Sequence, residues 1–315
     1  MKVAASYVHH LIAYANYRGI QKKHLLKLLS EPTMDLLAED SYVSPNEYCM
    51  LWNELILLSK EKYLGLHFGF FLNLEALGSV YDVSISATNI GQAILLWNDF
   101  ADDNFPLVKS ISSRHKDKLC LELKSDVKNC AVRKQILDMV FSFIYREIVV
   151  MTDNADLIVC VPYRDTEEYS KWYKCRVKTG KSYRIKFDQA IAAREINAKR
   201  KYDLELLLPQ FLKMIDKSKQ GYKPFSMQVR KMTLNMCSPE LPSFNQVVSQ
   251  FAMSNRAFQR KLADEGCSFR RIADEIKREL TTYLQKGGKM KTQDIAYCLG
   301  YTSSSAFLHA AQKWV

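Results

Sequence analysis

No stretch of this sequence reaches the roughly 18 uninterrupted apolar residues that a membrane-spanning helix needs, so the chain reads as soluble, with no membrane partner. Glycine and proline are few, 11 and 8 among 315 residues, and no low-complexity tract occurs, which excludes collagen-like and disordered classes. The cysteines, at 49, 120, 130, 160, 175, 237, 267 and 298, form no CxxC pair and no close cluster with histidine. Zinc and iron–sulfur sites are therefore not expected. Unpaired thiols of this kind read as buried and reduced, and place the protein in the cytoplasm. The N-terminus has no secretory core, because His9, His10 and Asn16 interrupt it, and reads as an amphipathic helix.

Catalytic signatures are missing too. There is no P-loop and no HExxH, and "GLHFGFF" from Gly65 has the wrong glycine spacing for a dinucleotide fingerprint. Histidines at 9, 10, 24, 67, 115 and 309 include no pair with ligand spacing in an acidic setting. Cys160, in "LIVCVPY", lacks the His and Arg neighbours that activate a thiol and reads as a core residue. Trp97, Trp172 and the tyrosines between 163 and 183 read as core filling before they read as a pocket lining. No enzyme, metal or cofactor is expected.

What the chain does have is positive charge. The formal net charge is +11, which argues for an anionic partner. Residues 216–315 hold 16 Lys and Arg against 8 Asp and Glu, whereas residues 1–215 hold 29 against 26. The excess sits in the last third. At this length two domains are expected, each large enough to bury a core.

Residues 1 to about 75 carry apolar residues at helical spacing in "HHLIAYANYRGI", "KHLLKLLS" and "NEYCMLWNELILLSK". From about 80 to 190 the pattern is mixed. "KLCLELK" alternates Leu119, Leu121 and Leu123 onto one face, "DLIVCVPY" and "SYRIKFD" are short β-type runs, and "RKQILDMVFSFIYREIVVM" is a long helix. The expected fold class is α+β: a mixed α/β domain over residues 1–215, a linker over 216–225, and an all-α domain over 226–315. The linker follows from "DKSKQGYKPF", with its lysines, glycine and proline.

The all-α domain contains a repeat. Val247, Val248, Phe251, Ala252, Met253 and Ser254 match Ile295, Ala296, Leu299, Gly300, Tyr301 and Thr302 at an offset of 48, and Ala257 and Phe258 match Ala306 and Phe307 at 49. Each unit is a short apolar helix, a tight turn, a hydroxyl N-cap candidate and a second helix. That is a helix-turn-helix, twice. With Phe258 and Leu262 packed inward, Arg256, Gln259, Arg260 and Ala263 turn outward. Arginine matches the O6/N7 edge of guanine and glutamine the N6/N7 edge of adenine. Between the units, "SFRRIADEIKRELTTYLQK" puts Phe269, Ile272, Ala273, Ile276, Leu280, Tyr283 and Leu284 on one stripe of a rod roughly 28 Å long. Such a rod can hold two recognition helices near adjacent major-groove turns, about 34 Å apart.

Over "MSNRAFQRKLADEGCSFRRIADEIKRELTTYLQ" and "TQDIAYCLGYTSSSAFLHAAQKW" the chain resembles the AraC/XylS family of bacterial transcription regulators, a likeness that covers nearly all of residues 222–315. The resemblance implies base reading by Asn255, Arg256, Gln259 and Arg260 in the first unit and by Ser304, Ser305 and His309 in the second. Phosphate contacts are expected from Ser254, Lys261, Arg270, Arg271, Lys291 and Lys313. The departures are His309 where the family often has Arg, Ala311 where it has Phe, and Ala252 where it favours glycine. The chain ends at Val315, where the family adds a short closing helix, so the domain is expected to be short there. The first part is similar to the "arabinose-binding" type N-terminal domain of the ornithine-regulator-like branch, through "YLGLHFGFFLNLEALGSVYDVSISATNIGQAI", "VPYRDTEEYSKWYKCRV" and "YRIKFDQAI".

The resulting expectation is a sequence-specific regulator of transcription, an activator, binding double-stranded DNA and recruiting RNA polymerase. Its first domain would sense a small-molecule effector or a partner and form a homodimer. The effector-binding residues cannot be named from the sequence. The alternative is a protein-interaction or anti-regulatory module that has lost full DNA readout, and an enzyme acting on nucleic acid through Cys160 ranks last.

Overall fold

The computed structural model describes residues 2–38, 40–72, 87–152, 157–194, 224–236, 241–286, 292–299, 301 and 303–312. The chain divides into two compact units, Met1–Ile196 and Asn197–Val315. The expected domain edge at 215 and linker residues 216–223 lie outside the described residues.

In the first unit, β1 (Val3–Ala4) leads into α1 (Ala5–Tyr17), followed by α2 (Lys22–Leu26), β2 (Tyr42–Val43), α3 (Pro45–Ser59), α4 (Leu64–Phe71) and α5 (Ile90–Asn104). Then come β3 (Lys109–His115), β4 (Lys118–Lys124), α6 (Cys130–Thr152), β5 (Ile158–Val161), α7 (Glu167–Tyr173), β6 (Val177–Thr179), β7 (Tyr183–Asp188) and α8 (Gln189–Ala192). This is the α+β class expected. The first 75 residues are not purely helical, however, because β1 and β2 pair antiparallel through Val3 opposite Val43. Strands this short carry no periodic signal.

Local chemistry explains the element ends. Ser44 and Glu47 form a capping box at the start of α3, with the Ser44 N–H donating to Glu47 at 2.8 Å and Pro45 in the first helical position. At the far end Lys60 takes a left-handed conformation, φ 52°, and stops the helix.

The five-stranded sheet has the order β3-β4-β7-β5-β6, antiparallel except for the β5–β6 pair. The leucine alternation expected in β4 sets its register: Leu119, Leu121 and Leu123 lie opposite Phe187, Ile185 and Tyr183 of β7, and all six are buried. Burying such cross-strand pairs specifies the pairing, because a slip by one residue would turn the whole set outward.

Helix α6 is buried along most of its length, from Val132 through Ile148. Glycine makes its packing against α4 possible. A Cβ on Gly65 would lie 2.0 Å from the Gln135 carbonyl oxygen, and one on Gly69 2.5 Å from that of Met139, so the "GLHFGFF" glycines serve close helix approach. The Arg146 guanidinium, also on α6, donates to the carbonyls of Gly69, Phe70 and Leu72 and so satisfies acceptors that the end of α4 leaves open.

Two expectations about cysteine need correction. Among the described thiols only Cys120 is buried, and Cys130 is exposed, because its place at the first turn of α6 faces outward. Cys160 is half-buried, and the sheet sets Lys178 and Arg184 opposite it. Those basic neighbours come from other strands, so they do not show in the local sequence.

The second unit is helical: α9 (Pro224–Asn235), α10 (Phe244–Ser249), α11 (Asn255–Asp264), α12 (Phe269–Lys286), α13 (Thr292–Cys298) and α14 (Ser304–Ala311). Pro224 and Phe225, expected to close the linker, instead open α9, with Phe225 buried. Proline suits a first helical position, having no N–H to leave unsatisfied. Phe225 then packs against Phe251 and Phe258 at ring centroid distances of 5.7 and 5.3 Å.

Candidate nucleic-acid interface

The first helix-turn-helix is α10 and α11. Ser243 and Gln246 cap α10 with a reciprocal box, and Val247, Val248 and Phe251 are buried beneath it. Ser254 caps α11, its hydroxyl accepting the N–H of Ala257 at 3.3 Å. Phe258 and Leu262 are fully buried, with Phe258 in edge contact with Phe251 and Phe244 at 5.3 and 5.8 Å.

Fixing that inner face decides the outer one. Asn255, Arg256, Gln259, Arg260, Lys261 and Ala263 are all exposed, as a 3.6-residue period about Phe258 and Leu262 requires. Asn255 is partly engaged, donating to Asn245 at 3.2 Å. Lys261 lies at the border of the surface, its ammonium 4.4 Å from the centroid of the Phe225 ring. The four-residue run from Arg256 to Lys261 that leaves out Ala257 and Phe258 thus offers three cations and an amide, flanked by the hydroxyl of Ser254.

Ser268 opens α12, its hydroxyl accepting the N–H of Arg271 at 3.2 Å. Ile272, Ile276 and Leu280 are buried along one stripe, while Phe269 and Ala273 are half-buried. The side chains of Tyr283 and Leu284 lie outside the described residues. Arg270 and Arg271 point outward and reach back to Asp274 at 3.8 Å and Glu275 at 3.0 Å. The Arg270 pair is exposed on both sides and therefore weak, whereas in the Arg271 pair the carboxylate is largely buried. Arg230 of α9 is buried and pairs with Glu279 at 2.7 Å, tying α9 to the rod.

In the second unit Ile295, Ala296, Leu299 and Phe307 repeat the buried positions of Val247, Val248, Phe251 and Phe258. Its N-cap corrects the expectation of a constant offset through the turn. Ser303 caps α14, accepting the N–H of Ala306 at 3.2 Å; Thr302, the expected counterpart of Ser254, lies outside the described residues. The extra residue therefore falls before the cap, and α14 runs at offset 49 throughout. On that register Ser304, Ser305, Leu308 and His309 stand where the first unit has Asn255, Arg256, Gln259 and Arg260. Ser305 and His309 are exposed and Ser304 is half-buried.

Leu308 was not singled out from the sequence, yet it is 47% exposed in the register of Gln259. The signal that finds it is the offset of 49 carried through the helix. Ala311 is half-buried where the first unit has the fully buried Leu262. The second unit is anchored to the rod by Lys277, whose ammonium lies 4.7 Å from the Tyr301 ring centroid and whose pKa burial pushes down. Lys291 and Lys313 lie outside the described residues.

Residues 29–196 match the family model described as the arabinose-binding N-terminal domain of AraC transcription regulators. The chain belongs to that AraC family. Among curated relatives, it is 30% identical over 84 residues to the HTH-type transcriptional regulator VqsM of Pseudomonas aeruginosa, covering 27% of this chain and 26% of that protein. It is 34% identical over 73 residues to an uncharacterised HTH-type transcriptional regulator, Rv1395, of Mycobacterium tuberculosis, covering 23% of this chain and 21% of that one. These matches span about a quarter of the curated relatives' length. The crystal structure of the transcriptional regulator CdpR from Pseudomonas aeruginosa aligns over 98% of this chain and 95% of that one, with a TM-score of 0.45 and 20% identity. Among the described residues of this AraC-family chain, no helix is long and apolar enough to cross a membrane.

Proposed function

We propose that the helical unit binds duplex DNA at specific sequences and that the α+β unit senses a small molecule or partner that sets the DNA-competent population. The observation that carries the proposal is the outer face of α11: Arg256, Gln259 and Arg260 are exposed around a fully buried Phe258 and Leu262. Arg256, Gln259 and Arg260 would read base edges in a major groove, with Asn255 beside them. Ser254, Lys261, Arg270 and Arg271 would meet phosphates, together with Lys291 and Lys313. Ser304, Ser305 and His309 would read a second, weaker half of the site. A linker within 216–225, its last two residues Pro224 and Phe225 belonging to α9, would join the sensing domain over 1–215 to the helical domain over 226–315.

As a cytoplasmic activator the protein would recruit RNA polymerase, and as a homodimer it would double the number of half-sites. Binding, with no catalytic step, is the activity. The test is a titration of the purified chain against its own upstream DNA and against random duplex at several salt concentrations. The expected result is at least a thousandfold preference for one upstream segment at physiological salt, with affinity falling steeply as salt rises.

One observation favours the rival reading of an interaction or anti-regulatory module. Ala311 fills less volume than Leu262, and Leu308 sits exposed where the first unit has Gln259, which weakens the second reader. Equal affinity for upstream and random DNA would favour that reading.

A further inference from the structure

The α+β unit contains a cation site that its own chain fills. The ammonium of Lys134, on α6, lies 5.3, 5.2 and 5.8 Å from the ring centroids of Tyr63, Tyr163 and Tyr169. Ring faces at this distance attract a cation. Beneath it, one turn further along α6, the carboxylate of Asp138 is 2.6 Å from the same nitrogen, and the Lys62 carbonyl accepts from it at 3.2 Å. Asp138 is fully buried and also accepts the hydroxyls of Tyr169 at 2.9 Å and Tyr183 at 2.7 Å. The hydroxyls of Tyr183 and Tyr163 lie 3.0 Å apart, and with the Tyr183 proton on Asp138 it is Tyr163 that donates.

The floor of this cage is buried and its mouth is open. The Lys134 side chain retains 20% of its exposure, and Tyr63 and Tyr163 are half-buried at the rim. Exposed Asp165 sits there too, accepting the Tyr63 hydroxyl at 2.6 Å and the Lys62 ammonium at 2.7 Å. A buried carboxylate that lost its cation would be costly. Exchange of one ammonium for another keeps the charge balanced, so the site tolerates a substitute better than a vacancy.

We propose that the cage of Tyr63, Tyr163, Tyr169 and Asp138 is a binding site for the primary ammonium group of a small molecule, and that such a ligand enters by displacing Lys134. The acceptors select the class. Asp138, besides its two tyrosine hydroxyls, and the Lys62 carbonyl, besides the Gln135 amide at 3.1 Å, still offer lone pairs to an N–H donor, which a quaternary ammonium lacks. The compact nitrogen that fits between three rings is that of a primary amine, not a planar guanidinium. Lys134 competes as a tethered ligand, at an effective concentration of the order of millimolar, so free amines act in that range or above. The sensing role of this exchange rests on the function proposed above; the site itself does not.

The experiment uses the full chain with isotope-labelled lysine side chains. Ring currents from three tyrosines set the Lys134 CεH2 resonance upfield of the other lysines, and its contacts with tyrosine ring protons assign it. Titration with n-butylammonium chloride is expected to move that resonance to the exposed-lysine position along a saturating curve. Tetramethylammonium chloride and sodium chloride at matched ionic strength are expected to leave it in place. Lys134→Met, which keeps the stem and removes the charge, is expected to lower Tm by several degrees, with n-butylammonium restoring most of the loss.

A Lys134 resonance that stays upfield to the highest amine concentration overturns the proposal, as does one that moves equally with tetramethylammonium or sodium. Rescue of Lys134→Met without movement in the unaltered chain also overturns it, since the cage would then be a fixed structural lock. Displacement that leaves DNA affinity unchanged upholds the site and removes only the sensing role. DNA binding that survives alongside an immovable Lys134 removes the site and leaves the DNA reading intact.

Discussion

Glu265, just past the end of α11, accepts the backbone N–H of Phe225 at 2.9 Å and that of Ser226 at 2.7 Å. Two of the donors that the start of α9 would leave open are thus satisfied by a carboxylate, which also complements the positive end of the helix. The end of α11 and the start of α9 are thereby joined by one side chain. Glu265→Ala should cost about 1–2 kcal/mol of stability in the helical unit, read from urea unfolding followed by far-UV circular dichroism. Glu265→Gln should recover part of the loss, because the amide oxygen still accepts. An Ala variant as stable as the parent would mean that water replaces the carboxylate without cost.

Arg256→Ala should weaken the preferred duplex by about 1–3 kcal/mol and blunt discrimination at one base pair, as loss of a bidentate base contact does. Competition against a set of single-base variants measures this. Equal losses on specific and random DNA would refute base reading by this residue.

Arg270 and Arg271 should behave differently. Their joint replacement by Ala is expected to weaken every duplex alike and to reduce the slope of log affinity against log salt by about two, one for each phosphate contact. An unchanged slope would place both guanidiniums away from the DNA, held by Asp274 and Glu275.

Gly65→Ala should destabilise the α+β unit by about 1–3 kcal/mol or more. The added Cβ would meet the Gln135 carbonyl at 2.0 Å, and backbone cannot yield as a flexible side chain does. Thermal unfolding of the variant is the measurement, and a Tm equal to the parent's would show that α4 and α6 can separate freely.

Burial, and next the charge of neighbouring His9, hold the His10 imidazole at about 4, below the ordinary value near 6.5. The unfolded chain therefore takes up this proton first as pH falls. Stability from the neutral ring is complete above about pH 6.5 and is lost between 6.5 and 4, with a slope approaching 1.4 kcal/mol per pH unit. His9, lowered for the same leading reason, adds to the trend. Urea titrations across that window should show the decline, and His10→Asn should flatten it; parallel curves for the two proteins would assign the acid loss elsewhere.

The repeat was legible because a helix that buries one face thereby exposes the other. Two apolar positions four apart, Phe258 and Leu262, decide where Arg256, Gln259 and Arg260 point, and no distant residue is needed to infer it. The β4 leucines were legible for the same reason with a period of two. What escaped was whatever depends on a partner far along the chain. The contact of Lys134 with Tyr63, Tyr163 and Tyr169 spans about 70 residues on one side and 30 on the other.

From the sequence alone followed the α+β class, the paired helix-turn-helix units and the outward face of α11, since these rest on periodicity and caps within a dozen residues. Only the tertiary structure decided that the "GLHFGFF" glycines admit a neighbouring helix, that basic residues flank Cys160, and that a lysine occupies a tyrosine cage over a buried aspartate. Each of these needs two segments brought together by the burial of a shared core, and composition or spacing within either segment carries no record of the other.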